Sequence, residues 1–295
     1  MDVTELSLDV GEGRSLDVRI AGPRDGAILV AHHGTPSTGR PFRPSVEAAG
    51  ERGVRIVSYS RPGYAGSTRD THRSVASCAA DTARIVDHLG VERFFTSGQS
   101  GGGPHALACA ALLPDRVVAC ATTAGVGPWK ADGLDFLAGM ADENVQEFGA
   151  ALAGADELRA FLERDADSLR DTTADDLAEA LGGLLSPVDV AALTGEVAEH
   201  STAMLHEAIS TGIWGWFDDD VAFTTPWGFD LADIRVPVTV WQGAQDRMVP
   251  FAHGKWLAAN IPTAKARLLP EEGHLSLIVG SFPQILDDLM AVSEV

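Results

Sequence analysis

Basic residues are scarce in this 295-residue chain: 22 Lys and Arg stand against 42 Asp and Glu, for a formal net charge of −20. Such a balance repels nucleic acid and anionic membrane surfaces, so neither is expected as a partner. Cysteine is scarce too. Cys78, Cys109 and Cys120 have no C-x-x-C spacing, cannot all pair with one another, and read as small buried hydrophobes on two helices and a strand. No apolar run approaches the length that crosses a bilayer. The first ten residues carry Asp2, Glu5 and Asp9 and lack a basic head followed by an apolar run, unlike a secretory signal, so a cytoplasmic location is the expectation. The nine histidines are scattered, and the adjacent pair His32-His33 has no H-E-x-x-H companion. Neither a metal nor another cofactor is expected. Internal repeats and low-complexity linkers are also missing.

What remains is ordinary globular material, 45% hydrophobic and 22% charged, long enough for one large α/β domain or a core with an inserted subdomain. Thr4 to Leu8 and Ser15 to Ile20 alternate polar and apolar around a glycine turn, the pattern of an antiparallel edge hairpin. Ala27 to Ala31, Val54 to Tyr59, Arg93 to Ser97 and Val117 to Thr122 are apolar runs that suit strands covered on both faces. Helical patterns separate them, around Ser45 to Arg52, Ser74 to Leu89 and Gly103 to Leu113. The alternation implies a mostly parallel sheet with right-handed crossovers. Past Trp129 the texture changes to helical patterns at Asn144 to Phe161, Ala174 to Leu184 and Glu196 to Ile209, then a stretch rich in aromatics. The strand-helix pattern resumes with Val236 to Trp241, a helix at Phe251 to Asn260, Ala266 to Leu269 and a helix at Phe282 to Val292. The division expected is a core of residues 1–128 and 227–295 with a helical cap of 129–226. That cap region holds most of the negative charge, with 22 acidic residues against 4 basic ones between Lys130 and Asp230. Two readings stand: solvated helix faces, or a mouth that attracts cationic substrates.

The stretch with chemistry in it is Gly98-Gln99-Ser100-Gly101-Gly102, set between a strand and a helix. In a bend this sharp, side chains two positions either side of the serine would collide, so glycine is needed at both. The bend exposes the Ser100 hydroxyl above the sheet and aims the Gly101 N–H at a reacting oxygen. A serine hydroxyl is a poor nucleophile until a base takes its proton, and that imidazole needs an acid to fix its tautomer. In a parallel sheet both partners belong on loops at the carboxyl ends of strands. Asp246 follows the Val236 to Trp241 strand and His274 follows Ala266 to Leu269, in the order Ser, Asp, His. Asp132 and Asp135 are competitors for the acid. His32, His33, His105 and His253 also fall near the same rim, with His105 read as a packing or pocket-wall residue.

Taken together, these segments resemble the α/β-hydrolase-fold family with a helical cap, in its serine-nucleophile branch. The resemblance lies in five landmarks: H-G-x-P at His33 to Pro36, R-P-G-x-x-G-S at Arg61 to Ser67, the elbow, G-x-x-D-x-x-V-P at Gly243 to Pro250, and Gly273-His274. It implies Ser100 as nucleophile, His274 as general base and then acid, and Asp246 as the residue that orients the imidazole. Backbone N–H groups of Thr35 and Gly101 would hold the oxyanion. His33, Gln99, Trp214, Trp216, Phe217 and Trp227 are candidates for the substrate pocket, the aromatics equally for anchoring the cap.

The leading reading is a serine hydrolase that cleaves a small carboxylic ester or related acyl compound through an acyl-enzyme. A prolyl iminopeptidase-like aminopeptidase is the alternative, with the acidic cap, Asp218-Asp219-Asp220 or Glu271-Glu272, binding a free amino terminus of a short peptide. Against it, Gln99 stands where those peptidases usually carry tryptophan. Gly101 likewise differs from the methionine common in perhydrolase-type relatives. An acyltransferase and a non-catalytic binding protein complete the set. The oligomeric state is not written in the sequence.

Overall fold

The computed structural model describes residues 2–294. The alternating edge segments form strands β1 (Val3–Gly11) and β2 (Arg14–Ala21). The apolar runs form β3 (Ala27–His32), β4 (Val54–Tyr59), β5 (Phe94–Gln99), β6 (Val117–Thr123), β7 (Val238–Gly243) and β8 (Ala264–Leu269). They make an eight-stranded sheet in the order β1-β2-β4-β3-β5-β6-β7-β8. The β1–β2 and β2–β4 pairs are antiparallel and every other pair is parallel.

Three helices lie between strands in the first part of the chain: α1 (Arg43–Glu51), α2 (Ser77–His88) and α3 (Gly102–Leu112). Between β6 and β7 comes the helical insertion, with α4 (Asp142–Ala153), α5 (Ala155–Leu169), α6 (Leu177–Leu181), α7 (Pro187–Ala192), α8 (Glu196–Ile209) and α9 (Trp214–Phe223). Helices α10 (Phe251–Asn260), α11 (Leu275–Gly280) and α12 (Phe282–Met290) complete the core. Apolar residues of α2, α3 and α10 pack on one face of the sheet, and those of α1 and α12 on the other. This two-faced cover is why the inner strands read as unbroken apolar runs. The three cysteines sit on α2, α3 and β6, buried and unpaired.

Two expectations for the insertion need correction. The Asn144 to Phe161 pattern is not one helix: Gly154, at φ 146°, ends α4 and starts α5, a conformation open to glycine and to few other residues. The Ala174 to Leu184 pattern holds only the five residues of α6 and a short 3-10 turn. The first part of the aromatic stretch, Trp214 to Phe223, is itself a helix, α9, and α7 and α11 were not visible in the periodicity.

Part of the acidic excess fastens the insertion to the core. On α8, Glu207 takes hydrogen bonds from Arg19, from Thr38 Oγ1 at 3.0 Å and from Arg40 Nε at 3.1 Å. Glu196 pairs with Arg43 at 2.6 Å. On α9, Asp218 pairs with Arg69 at 2.8 Å, and Asp219 with Arg61 at 2.6 Å and Arg73 at 2.7 Å. Burial raises Glu207, but the Arg19 pairing outweighs it and holds the carboxyl down at about 2. These four acids are paired with the core and are no mouth for cations, and only Glu196 among them keeps much contact with solvent.

Asp220 is different, because it faces another acid. Burial lifts it well above the usual carboxylate range, and the Glu147 charge adds to the shift. Burial also raises Glu147, which accepts from Trp216 Nε1 at 2.6 Å, from 4.5 to about 7. The unfolded chain ionises Glu147 near 4.5, so stability is lost as pH rises from there through 7. Thermal melts at pH 5 and pH 8 should show this. Glu147→Gln, which keeps the acceptor for Trp216, should shrink the wild-type drop in Tm by about 2–4 °C. Equal drops in the two proteins would contradict the argument.

Candidate active site

Ser100 sits at the turn from β5 to α3, half-buried, with φ 52°. A non-glycine residue in this left-handed region carries strain of about 1–3 kcal/mol, held in place by its surroundings. The Ser100 N–H donates to the Thr123 carbonyl at 2.9 Å, and its own carbonyl accepts from the Gly103 N–H at 2.9 Å. A Cβ at Gly98 would stand 2.0 Å from the Gly102 carbonyl oxygen, and one at Gly102 would stand 2.1 Å from that of His32. Backbone atoms leave both positions to glycine.

Gly101 is crowded for another reason: a Cβ there would lie 2.4 Å from Thr35 Oγ1 and 2.9 Å from the Phe223 ring. The space that a methionine would use beside Ser100 is filled by a threonine from the β3 loop and a phenylalanine from α9. That loop comes close to the serine, since a Cβ on Gly34 would be 3.4 Å from Ser100 Cβ.

Asp246 and His274 meet across the ends of β7 and β8. His274 Nδ1–H donates to Asp246 Oδ2 at 2.8 Å, and both side chains are buried. The other oxygen of Asp246 accepts the N–H groups of Met248 at 2.9 Å and Val249 at 2.8 Å, while Gln242 Nε2 donates to Oδ2 at 3.0 Å. The acid is therefore fixed in place and its lone pairs satisfied. Burial lowers the His274 pKa, but the Asp246 charge and hydrogen bond outweigh it, and Asp189 adds a smaller push, so the net shift is upward. Asp132 and Asp135 are exposed, and neither approaches His274 in any described contact.

A network absent from the sequence reading holds the Thr35 loop. The fully buried guanidinium of Arg61 donates to the carbonyls of His33 and of Gly34, the latter at 2.8 Å, and to Thr35 Oγ1 at 2.9 Å. It also pairs with Asp219, which accepts from Thr35 Oγ1 at 2.6 Å and Tyr64 Oη at 2.9 Å as well. Burial drives the Asp219 pKa up, yet Arg61 and Arg73 overcome this and hold it well below the carboxylate range. Asp219 thus ties α9 to the loop beside Ser100. Its sequence signal was the acidic triplet inside an aromatic stretch, and Arg61 lay in a landmark loop with no role attached.

The pocket candidates scatter. Gln99 and His33 line a cavity of about 170 Å³ under the ends of β3 to β6. Its walls also hold Leu275, next to His274, and apolar residues from α8 and α12 such as Met204 and Phe282. His33 is not free to act there. Its Nδ1–H donates to the Gly34 carbonyl at 2.7 Å and its Nε2 accepts the Arg61 N–H at 3.0 Å. The four aromatics lie elsewhere, a correction to their reading as pocket residues. Trp216 and Phe217 pack into the interior of the insertion, and Trp227 packs into the main core against Phe229. Trp214 lies exposed under Arg69, 4.0 Å from the guanidinium carbon to the ring centroid. Flat rings from the insertion found arginines and apolar partners instead of the cavity.

The other rim histidines, His32, His105 and His253, are held in the interior. His105 Nδ1–H donates to the Gly101 carbonyl at 2.8 Å, and His32 stacks on His105 with ring centroids 6.5 Å apart. His253 accepts from the Gly127 N–H and donates to the Phe136 carbonyl, both at 2.9 Å. Among the described residues no group of His, Cys, Asp and Glu has the arrangement of a metal site, and no helix is long and apolar enough to cross a membrane.

Known proteins resemble this chain over most of its length. A non-heme chloroperoxidase of Streptomyces lividans is 26% identical over 288 residues, which cover 97% of this chain and 98% of that protein. A bifunctional esterase/perhydrolase of Acinetobacter calcoaceticus is 26% identical over 268 residues, 86% of this chain and 87% of its own. In fold, the crystal structure of a hydrolase from Pseudomonas aeruginosa PA01 superposes with a TM-score of 0.68 at 23% identity, covering 98% of this chain and 97% of that one. The family model described as alpha/beta hydrolase fold matches residues 27–281. That span runs from β3 through α11 and takes in the elbow, both partner loops and the whole insertion, so the chain belongs to the alpha/beta hydrolase family of enzymes.

Proposed function

We propose that this hydrolase cleaves a small carboxylic ester through an acyl-enzyme, with Ser100, His274 and Asp246 as its triad. The observation that carries the reading is the buried 2.8 Å contact between His274 Nδ1 and Asp246 Oδ2, at the strand ends where Ser100 is held in its bend. With Nδ1–H given to the acid, Nε2 is the nitrogen left to take the Ser100 proton. Oγ then bonds to the ester carbonyl carbon, and the oxyanion forms against the N–H groups of Gly101 and Thr35. Collapse breaks the bond to the leaving alkoxide, which receives the proton from Nε2. Water repeats the sequence in reverse and frees the acid.

The apolar cavity beside Gln99 suits an alkyl chain of the substrate. The similarity to a bifunctional esterase/perhydrolase is in keeping with this. Of the acids that the aminopeptidase alternative could use, Asp218 and Asp219 are bound to arginines and Asp220 faces Glu147 inside the insertion, which leaves that reading to Glu271-Glu272. Initial rates on 4-nitrophenyl acetate, butanoate and hexanoate, beside a proline arylamide, test both points. Each methylene buried contributes about 0.8 kcal/mol, so kcat/KM should climb about fourfold per methylene until the cavity is full. Turnover of the arylamide with no turnover of the esters would defeat the reading.

A further inference from the structure

The cap reaches the base of the site through a residue that no step above uses. Asp189, on α7, is completely buried and lies on the backbone of the His274 loop. Its Oδ1 accepts the Ser276 N–H at 3.0 Å, and its Oδ2 accepts the Ser186 hydroxyl at 2.7 Å. A Cβ on Gly273 would stand 2.4 and 2.5 Å from the two carboxylate oxygens, so the glycine before His274 is what lets the acid come this close. Beyond Asp189, Gly273 is pinned by its own N–H, which donates to Ser276 Oγ at 2.8 Å. Nearby, the Asp246 loop is held by the insertion as well. Ala141 N–H donates to the Arg247 carbonyl at 2.8 Å, Asn144 Nδ2 to that of Met248 at 2.9 Å, and Arg247 Nη1 to that of Leu185 at 3.2 Å.

We propose that Asp189 is a positioning residue for His274: it fixes the loop that carries the imidazole and sets a second negative charge beside the ring. The proposal rests on the triad reading above. The ring itself is aimed by Asp246 through Nδ1, while Asp189 acts on the backbone from the opposite element. Two carboxylates face His274, Asp246 from the loop after β7 and Asp189 from α7, and among the described residues no other ionisable group bears on it. Burial raises Asp189, but the Ser276 N–H, the Ser186 hydroxyl and the His274 N–H prevail and keep it ionised, below its ordinary value. Asp189 also stands three residues after Ser186 at the start of α7, a capping position. A capping role alone would move stability and leave His274 unchanged.

Asp189→Asn keeps the size and one acceptor oxygen but removes the charge, and Ser186→Ala removes the capping hydroxyl but keeps the charge. Steady-state kinetics on 4-nitrophenyl butanoate against pH, with an NMR titration of the His274 imidazole in substrate-free protein, separate the two roles. For Asp189→Asn, kcat should fall about tenfold at unchanged KM, because a base that wanders fails in the transition state and not in binding. Loss of the neighbouring charge disfavours the imidazolium, so the acid limb of kcat/KM and the NMR midpoint should both move to lower pH by about half a unit. Ser186→Ala should leave kcat within about twofold and the midpoint in place. A wild-type midpoint in Asp189→Asn, or the same losses in Ser186→Ala, would overturn the proposal. Failure of the triad reading is scored separately, by turnover in Ser100→Ala. The substrate-free titration then still accepts or rejects the role of Asp189.

Discussion

Ser100→Ala should fold as the wild type does and lose about 10⁴- to 10⁶-fold in ester turnover, with no burst of released nitrophenol. The loss is this large because in the proposed mechanism the hydroxyl oxygen forms the acyl bond, and alanine offers nothing in its place. Any residual rate comes from water attacking a carbonyl still held by the Gly101 and Thr35 N–H groups. The backbone makes a second readout available. At φ 52° alanine keeps the strain that serine bears, whereas Ser100→Gly removes it. Both variants should be inactive, and the glycine variant should unfold at the higher temperature. Turnover by Ser100→Ala within tenfold of wild type would remove Ser100 from the chemistry.

Asp219→Ala should be the most damaging substitution outside the triad. It leaves the guanidinium groups of Arg61 and Arg73, 1% and 8% exposed, without their shared counter-charge in the interior. Stripping one partner from a buried ion pair costs about 3–5 kcal/mol, and here two cations lose the same acid. The catalytic consequence follows the same contacts. Thr35 Oγ1 and Tyr64 Oη lose their acceptor, and the loop against Ser100 is left to Arg61 alone. We expect kcat to fall about tenfold or more in whatever fraction stays folded, with KM less affected. Urea unfolding at neutral pH measures the first effect and active-site-titrated kinetics the second. Because Asp219 is held well below its ordinary pKa, its contribution is present at neutral pH and fades only as acid protonates it. A stability loss under 1 kcal/mol would show that the network is not the fastening described.

Most of the sheet was legible, because strands covered on both faces leave unbroken apolar runs and the helices between them leave a 3.6-residue period. The elbow was legible as well, since steric exclusion at Gly98 and Gly102 is a local matter. The insertion was legible only in part: α8 runs over Glu196–Ile209 as expected, but the division of α4 from α5 depends on Gly154 adopting φ 146°, which a glycine in a helical pattern permits but does not announce. The acids were harder still. Asp219 finds Arg61 and Arg73 at separations of 158 and 146 residues, and Asp189 finds Ser276 87 residues on. An acidic triplet gives its charge to a reader of the sequence but not its partner, so Asp218 to Asp220 looked like a place for a ligand. The tryptophans misled for a related reason: an aromatic ring fills a core and lines a cavity with equal ease.

The fastenings of the insertion fall into two sets, divided by when their partners are synthesised. The acids of α8 and α9 meet Arg19, Thr38, Arg40, Arg43, Arg61, Arg69 and Arg73, all of which leave the ribosome before them. The contacts of α4 and α7 instead wait for Arg247, Met248 and Ser276, which follow them in the chain. Native contacts can therefore dock the α8–α9 half onto the nascent sheet while the α4 and α7 end is still without its counterpart. Asp246 and His274 come with that later stretch, so their buried contact forms only after the whole insertion has been made.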